Sequence, residues 1–439
     1  MRRALFVLGF ASVPAFACAS KPEGSIDLLV GGETDAMTRA PTLVSLLVET
    51  VDSAGAATQL TRVALPATTI DLGNPSQDTV AQIRVTAFDA DGTARVKGTS
   101  VAVQLGGLAG TTLELFVQRT GELARLPSPL SDSRPQPLVA SVAGRYLFAA
   151  GGADASLTTA TQLYDLATYT PMASPPVLPR APKSMALFGT VALLVDETGA
   201  MWFSLADSTK AEAGVPTGGS FAEVAGGATV NADDGSRYIV GGTRTTGDPT
   251  ARVLRLDGTT GAITFVALTT PRRGATATWV VGRGLVVAGG SATGAGVELV
   301  SATATSATAL AFPPDATVGA GAAPLDGARV LLAGGLDAAM ADAKLRVVDL
   351  GCASACAPSA FGSSLATPLA RAQAFALGDG SALVIGDDAM GATHAARVTP
   401  TKADDIPLKA PRSSARAVLL ATGAIAIVGG AAVVETFLP

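Results

Sequence analysis

The chain has 439 residues, nearly half of them apolar, with 49 Gly, 26 Pro and few aromatics; that is enough apolar material for more than one core and too much for a disordered polymer. A formal net charge of −5 with scattered Lys and Arg leaves no basic stripe to neutralise phosphates, which excludes nucleic acid as an expected partner. The mixture of Ala, Val, Leu, Gly and Pro suits short strands joined by tight turns.

Arg2 and Arg3 form a basic start, Ala4 to Val13 a mostly apolar stretch, and Ala15-Phe16-Ala17 a small-x-small cleavage site. These are the three parts of a signal peptide over residues 1–17. The apolar run is shorter than the roughly 20 residues a membrane-spanning helix needs, which sets the anchor reading behind it. Ala15-Phe16-Ala17-Cys18 resembles a bacterial lipobox, which implies a lipid on Cys18; an ordinary signal peptidase would cut the same bond. Ala19 and Ser20 follow without the Asp that in lipoproteins signals inner-membrane retention. The resemblance therefore implies an outer-membrane lipoprotein on the periplasmic or surface face, and without the lipid a periplasmic or secreted protein. Residues 18–24 read as a linker. With Cys18 lipidated, Cys352 and Cys356 are left to close a disulfide in an oxidising compartment. Two thiolates are too few for a metal, and the redox motif uses C-x-x-C spacing.

Residues 25–118 alternate apolar and polar positions, as in Ile83-Arg84-Val85-Thr86-Ala87-Phe88, the period of a half-buried strand. Similar runs lie at Leu43 to Val48, Thr61 to Leu65, Thr99 to Leu105 and Leu113 to Val117, and Asp91-Gly92 supplies a hairpin turn. About seven short strands fit, which suits an immunoglobulin-like β-sandwich, though no Cys pair or core Trp marks one. Asp89-x-Asp91 lacks the later ligands of a calcium loop and reads as a turn.

From about residue 119 to 439 the chain repeats. Seven segments share a turn ending in Gly, a short aliphatic run and often a double glycine; they begin at Gly144, Gly189, Gly235, Gly282, Gly327, Gly380 and Gly423. Their spacings run from 43 to 53 residues, the length of one four-stranded propeller blade. Apolar stretches such as Ala275 to Val280, Ala372 to Leu377 and Ala415 to Leu420 precede the turn as innermost strands, and Gln162 to Asp165, Val253 to Asp257 and Leu345 to Asp349 follow as third strands. The longest spacing, 53 residues, contains Cys352 and Cys356, as an inserted loop held by a disulfide would. The last unit ends one strand short, and Gly121 to Leu126 can supply that strand and close the ring. Seven blades are expected, with six as the alternative because the second unit has no double glycine.

The double glycine after a hydrophobic run, present in five of seven units, and Tyr164-Asp165 downstream resemble the Kelch family. The family's Trp is missing; Trp202 and Trp279 lie elsewhere in their blades. The resemblance implies a divergent all-β Kelch-like propeller. The glycines precede strands, whereas phosphate cradles open helices, so their expected use is blade packing.

His394 is the sole histidine, which rules out a multi-histidine zinc or copper site in one chain. It has no G-x-S-x-G elbow beside it. Asp233-Asp234, Asp387-Asp388 and Asp404-Asp405 read as turn acids. No cofactor or metal is expected. Arg180, Arg272, Arg371 and Arg412 each stand 15 to 17 residues before the Gly-Gly position. They are candidates for a ring of guanidinium groups that binds carboxylates or anionic sugars, or for ties between blades. The expected function is a non-catalytic envelope binding or scaffold protein for a protein or glycan; the alternative is a polysaccharide lyase or hydrolase working with carboxylates and Arg.

Overall fold

The computed structural model describes residues 24–67, 70–72, 79–108, 110–242 and 246–439. The expected signal peptide and Cys18 lie outside them. The first nine strands form two sheets. One runs Ile70–Asp71, Ser25–Leu29, Thr112–Phe116, the last two parallel; the other runs Ala57–Ala64, Leu43–Val51, Val80–Asp89, Ala94–Thr99, Gln118–Arg119. Ile26, Ile70, Leu113 and Leu115 from the first meet Leu46, Val48, Ile83, Val85 and Val96 from the second in one core, which makes this unit a β-sandwich. Asp91-Gly92 turns the expected hairpin, with the Asp89 carboxylate accepting from the Asp91 and Thr93 N–H groups. The run expected over Thr99 to Leu105 is not one strand. Its first strand stops at Thr99, where the Ser100 hydroxyl takes over the Ile83 N–H, and pairing resumes only at Val103–Gln104.

Among the described residues, the rest of the chain forms seven four-stranded antiparallel sheets and one inserted two-stranded hairpin. The innermost strands of the seven sheets are Leu138–Val142, Ser184–Phe188, Ala228–Asn231, Thr276–Val280, Gly321–Pro324, Ala370–Ala376 and Arg416–Leu419. Each touches the next, and the seventh touches the first. The unit without a double glycine forms a sheet like the others, Ser184 to Glu212. In the seventh sheet the outer strand is Leu123–Arg125, paired antiparallel with Glu435–Phe437, so the strand before the first repeat closes the ring.

Among the described residues, each junction between neighbouring sheets has its own apolar core. In the fourth sheet, for example, Leu285 and Val287 face the third while Val286 and Ala288 face the fifth. Both faces of these second strands are therefore buried, which is why their sequences are unbroken apolar runs.

The long fifth unit carries two insertions, a hairpin over Leu336–Asp337 and Met340–Ala341 and a loop after Asp349. Cys352 and Cys356 close a disulfide in the second, with Cys356 packed into the junction of the fourth and fifth sheets. So short a closed loop restricts the unfolded chain little, and Cys352→Ser should cost no more than about 2 kcal/mol, read as the difference between thermal melts of the variant and the parent.

The sandwich sits against the seventh and first sheets. Phe116 meets the Tyr169 ring at 5.8 Å, Gln118 donates to the Thr436 carbonyl at 3.0 Å, and Gln82 donates to the Ala421 carbonyl at 2.9 Å. Arg39 pairs with Glu122 at 2.8 Å, which also lies 3.7 Å from Lys409. Burial pushes the Tyr169 phenol up to about 12 and raises those of Tyr164 and Tyr238. A phenol raised on folding stabilises the protein below the unfolded value near 10 and ceases to do so as pH climbs through its folded value. At about pH 11 the native protein should therefore show fewer phenolates by absorbance than the urea-unfolded chain, and its stability should fall as pH rises from about 10 towards 12.

Candidate functional site

The face of the ring where the innermost strands begin gathers most of the residues singled out in the sequence. The four expected arginines fall into two kinds. Arg272 and Arg412 have no exposed side-chain surface, and neither do their partners Glu298 and Glu435. Arg272 donates to Glu298 at 2.9 Å and to the carbonyls of Gly289 and Ala295 at 2.7 and 2.6 Å. Glu298 in turn accepts from the Thr269 and Thr270 N–H groups. Arg412 repeats the pattern with Glu435 at 2.7 Å and the carbonyls of Ile427, Gly429 and Val433, and Glu435 accepts from the Lys409 and Ala410 N–H groups. Arg272 ends the outer strand of the third sheet and ties it to the second and third strands of the fourth, while Arg412 ties the loop entering the seventh sheet to that sheet's own second and third strands. Neither side chain can reach a ligand in solvent without opening a blade, so an open ring of four guanidinium groups is not what the residues form.

Arg134, not singled out by the sequence reading, is a third such tie. It donates to the Gly151 and Ala160 carbonyls and pairs with Asp132 at 2.6 Å. Its spacing gives it away: Arg134, Arg272 and Arg412 each stand 17 residues before the first glycine of their Gly-Gly, at 151, 289 and 429. Arg180 and Arg371 have shorter spacings to the matching turn and are partly exposed. Arg180 pairs with Glu212 at 3.1 Å and Asp196 at 3.5 Å.

Arg371 reaches across to the next blade. Its guanidinium lies 3.1 Å from the fully buried Asp387 and donates to the Ser414 hydroxyl at 3.1 Å. Arg416, on the innermost strand of the seventh sheet, approaches the same Asp387 oxygen at 3.7 Å. Burial pulls the Arg416 guanidinium below its ordinary value; Asp387 opposes this and the neighbouring Arg371 charge adds to it. Asp387 also accepts from the Thr393 hydroxyl at 2.9 Å. Two guanidinium groups thus share one carboxylate.

The backbone here has a repeated device. Six units hold a left-handed residue at the start of the innermost strand: Gln136, Gly226, Gly274, Gly319 and Ser414 two residues ahead of it, and Arg371 at the break in register inside it, with φ between 46° and 80°. Several bond across blades, Gly319 to Gly274, Ala372 to Gly319 and Gln136 to Ser414, each at 2.8 Å. Glycine takes this conformation freely, while a side chain there costs energy. The third, fourth and fifth units use glycine; the sixth, seventh and first carry Arg371, Ser414 and Gln136. One sector of the face is therefore bare and the opposite sector polar.

The double glycines join neighbouring blades. The N–H of Gly290 donates to the Thr317 carbonyl, that of Gly335 to Leu369 and that of Gly430 to Arg134, each the strand-entry segment of the next sheet. A Cβ on Gly289, at φ +71°, would stand 2.5 Å from the Thr317 carbonyl oxygen. Gly289→Ala should therefore lose about 2 kcal/mol, measured by urea unfolding; a loss within about 0.5 kcal/mol would show that the two sheets part easily.

His394 pairs with Asp388 at 3.1 Å, and that hydrogen bond holds the Asp388 carboxyl below the usual range. Asp388 also accepts from the Met390 and Ala392 N–H groups of its own loop. Asp233 accepts from the Trp279 indole at 2.9 Å, and Asp404 pairs with Lys402. Asp387, Asp404 and Asp405, expected in turns, instead lie in the strands Ala382–Asp387 and Ala403–Asp405, Asp387 fully buried.

A ring of four-stranded antiparallel sheets closed on itself by a strand from the start of the repeat array is a β-propeller. No family's sequence profile matches the chain, and no curated protein matches it. Similar solved structures include that of U3-55K, at 10% identity over 72% of this chain and 98% of that one with a TM-score of 0.44. YCF48 bound to D1 peptide is similar at 10% identity over 72% and 95%, with a TM-score of 0.45. BBS1N in complex with ARL6DN is similar at 13% over 71% and 94%, also with a TM-score of 0.45.

Proposed function

We propose that this chain is a non-catalytic binding protein of the cell envelope. In this reading a seven-bladed Kelch-type propeller of residues 119–439 holds a protein or glycan, an immunoglobulin-like sandwich of residues 25–118 spaces it from the outer membrane, and a lipid on Cys18 anchors it. One observation carries the reading: the polar residues that the repeats bring to the strand-entry face are tied to one another within and between blades. Arg272 with Glu298, Arg412 with Glu435, and Asp387 between Arg371 and Arg416 are examples. That suits a rigid platform presenting a fixed surface.

The test is capture of the tagged mature protein from cross-linked intact cells, with mass spectrometry of proteins and glycans. A reproducible protein or glycan partner supports the reading. Turnover of a recovered polysaccharide by the purified chain would overturn it. Labelled palmitate on the parent and none on Cys18→Ser, with loss of the protein from the membrane fraction, is the expected result for the anchor.

A further inference from the structure

The polar sector of the strand-entry face combines three features. Arg371 and Arg416 sit on neighbouring blades and share a single buried carboxylate, so the pair carries more positive charge than its partner balances. Asp388, the next residue in the chain after Asp387, is held by its own loop and by His394. The second feature is Arg371 itself. Its side chain is 39% exposed and its backbone is held at φ +46°, where the corresponding places of the third, fourth and fifth units have glycine. A side chain kept at such a place at a cost to stability is a mark of use.

The third feature is apolar. The loop between the second and third strands of the sixth sheet, Asp388 to Ala392, leans on this sector, its Gly391 carbonyl accepting from the Ser414 N–H at 3.1 Å. At its tip Met390 is 96% exposed. Met340, on the inserted hairpin of the preceding blade, is 71% exposed. Flexible, polarisable methionines at a surface pack against varied apolar side chains, and a cation pair with the Met390 loop beside it matches a chain that alternates acidic and apolar residues. A sugar acid offers the charge but no apolar group to cover Met390.

Resting on the binding reading above and deepening it, we infer that this sector is a docking site for an acidic segment of a protein partner. A Glu or Asp carboxylate of the segment engages the Arg371 and Arg416 guanidinium groups, with Ser414 and Gln136 beside them, and an adjacent apolar side chain covers Met390.

The experiment uses the full mature chain and a fluorescein-labelled peptide of alternating Glu and Leu, read by fluorescence anisotropy, with a Gln-for-Glu peptide and a glucuronate oligomer as comparisons. Binding of the Glu peptide at least tenfold tighter than of the Gln peptide is expected. Arg371→Gln and, separately, Met390→Asp should each weaken it at least fivefold. Met390 is so exposed that its variant will fold as the parent does, and circular dichroism melts check both. Equal binding of the two peptides, affinities unchanged in both variants, or binding of the glucuronate oligomer in place of the peptide would each overturn the proposal. A cellular partner captured equally well by Arg371→Gln and Met390→Asp would remove this site while leaving the scaffold reading intact.

Discussion

Replacing Arg272 by Met is expected to cost about 3–5 kcal/mol, among the largest effects of any single change in the chain. The substitution keeps much of the buried stem but leaves the Glu298 carboxylate in a place with no solvent and no cation, and removes the guanidinium donors from the Gly289 and Ala295 carbonyls. Urea unfolding of the variant, compared with Glu298→Gln and the double variant, measures it; the double variant should regain part of the loss because no unpaired charge remains. Arg371→Gln is the contrast. Its guanidinium is half exposed and Arg416 stays beside the buried Asp387, so the change should cost less, about 1–2 kcal/mol. Equal losses at the two positions would mean that burial does not separate them.

Phe437→Ala should cost about 3–5 kcal/mol. Phe437 is fully buried, pairs with Leu123 across the closing strand and packs with Ile385, Ile425 and Ile427 between the sixth and seventh sheets. The cavity would open at the single place where the two ends of the array meet. Leu419→Ala, at an exposed position in the same sheet, should change stability by no more than about 0.5 kcal/mol. Chevron kinetics would add a second reading: contacts between segments so far apart in sequence are expected to form late, so the loss should fall mainly on the unfolding rate.

The strands of the ring were legible because most are buried on both faces or alternate cleanly, as in Gly284–Ala288 and Leu345–Asp349, and the closing segment Leu123–Arg125 was legible because the last unit lacked a strand. The site was less so. Spacing brought out Arg272 and Arg371 together, yet one is sealed beside a third-strand Glu and the other stands half in solvent. The distinguishing marks, a separation of 17 residues and a carboxylate at Glu298 or Glu435, depend on which strand pairs with which. Arg134 obeys that spacing and was missed, its blade having Gln162 where the others have Glu. Arg416 was missed because it lies within the strand. Nothing in the identity of Gln136, Arg371 or Ser414 announces a left-handed backbone, since side-chain type sets that conformation reliably only for glycine.

Seven separate cores around a closed circuit have a consequence for local motion. In a linear stack of repeats the terminal unit is held by one neighbour and frays first. Here every sheet is held on two sides, so releasing any one of them breaks two junctions, and the circuit has no end from which opening can start. Amide exchange of the second strands should therefore be slow and nearly even from Tyr146–Ala150 around to Ile425–Val428, without the gradient an open array would show.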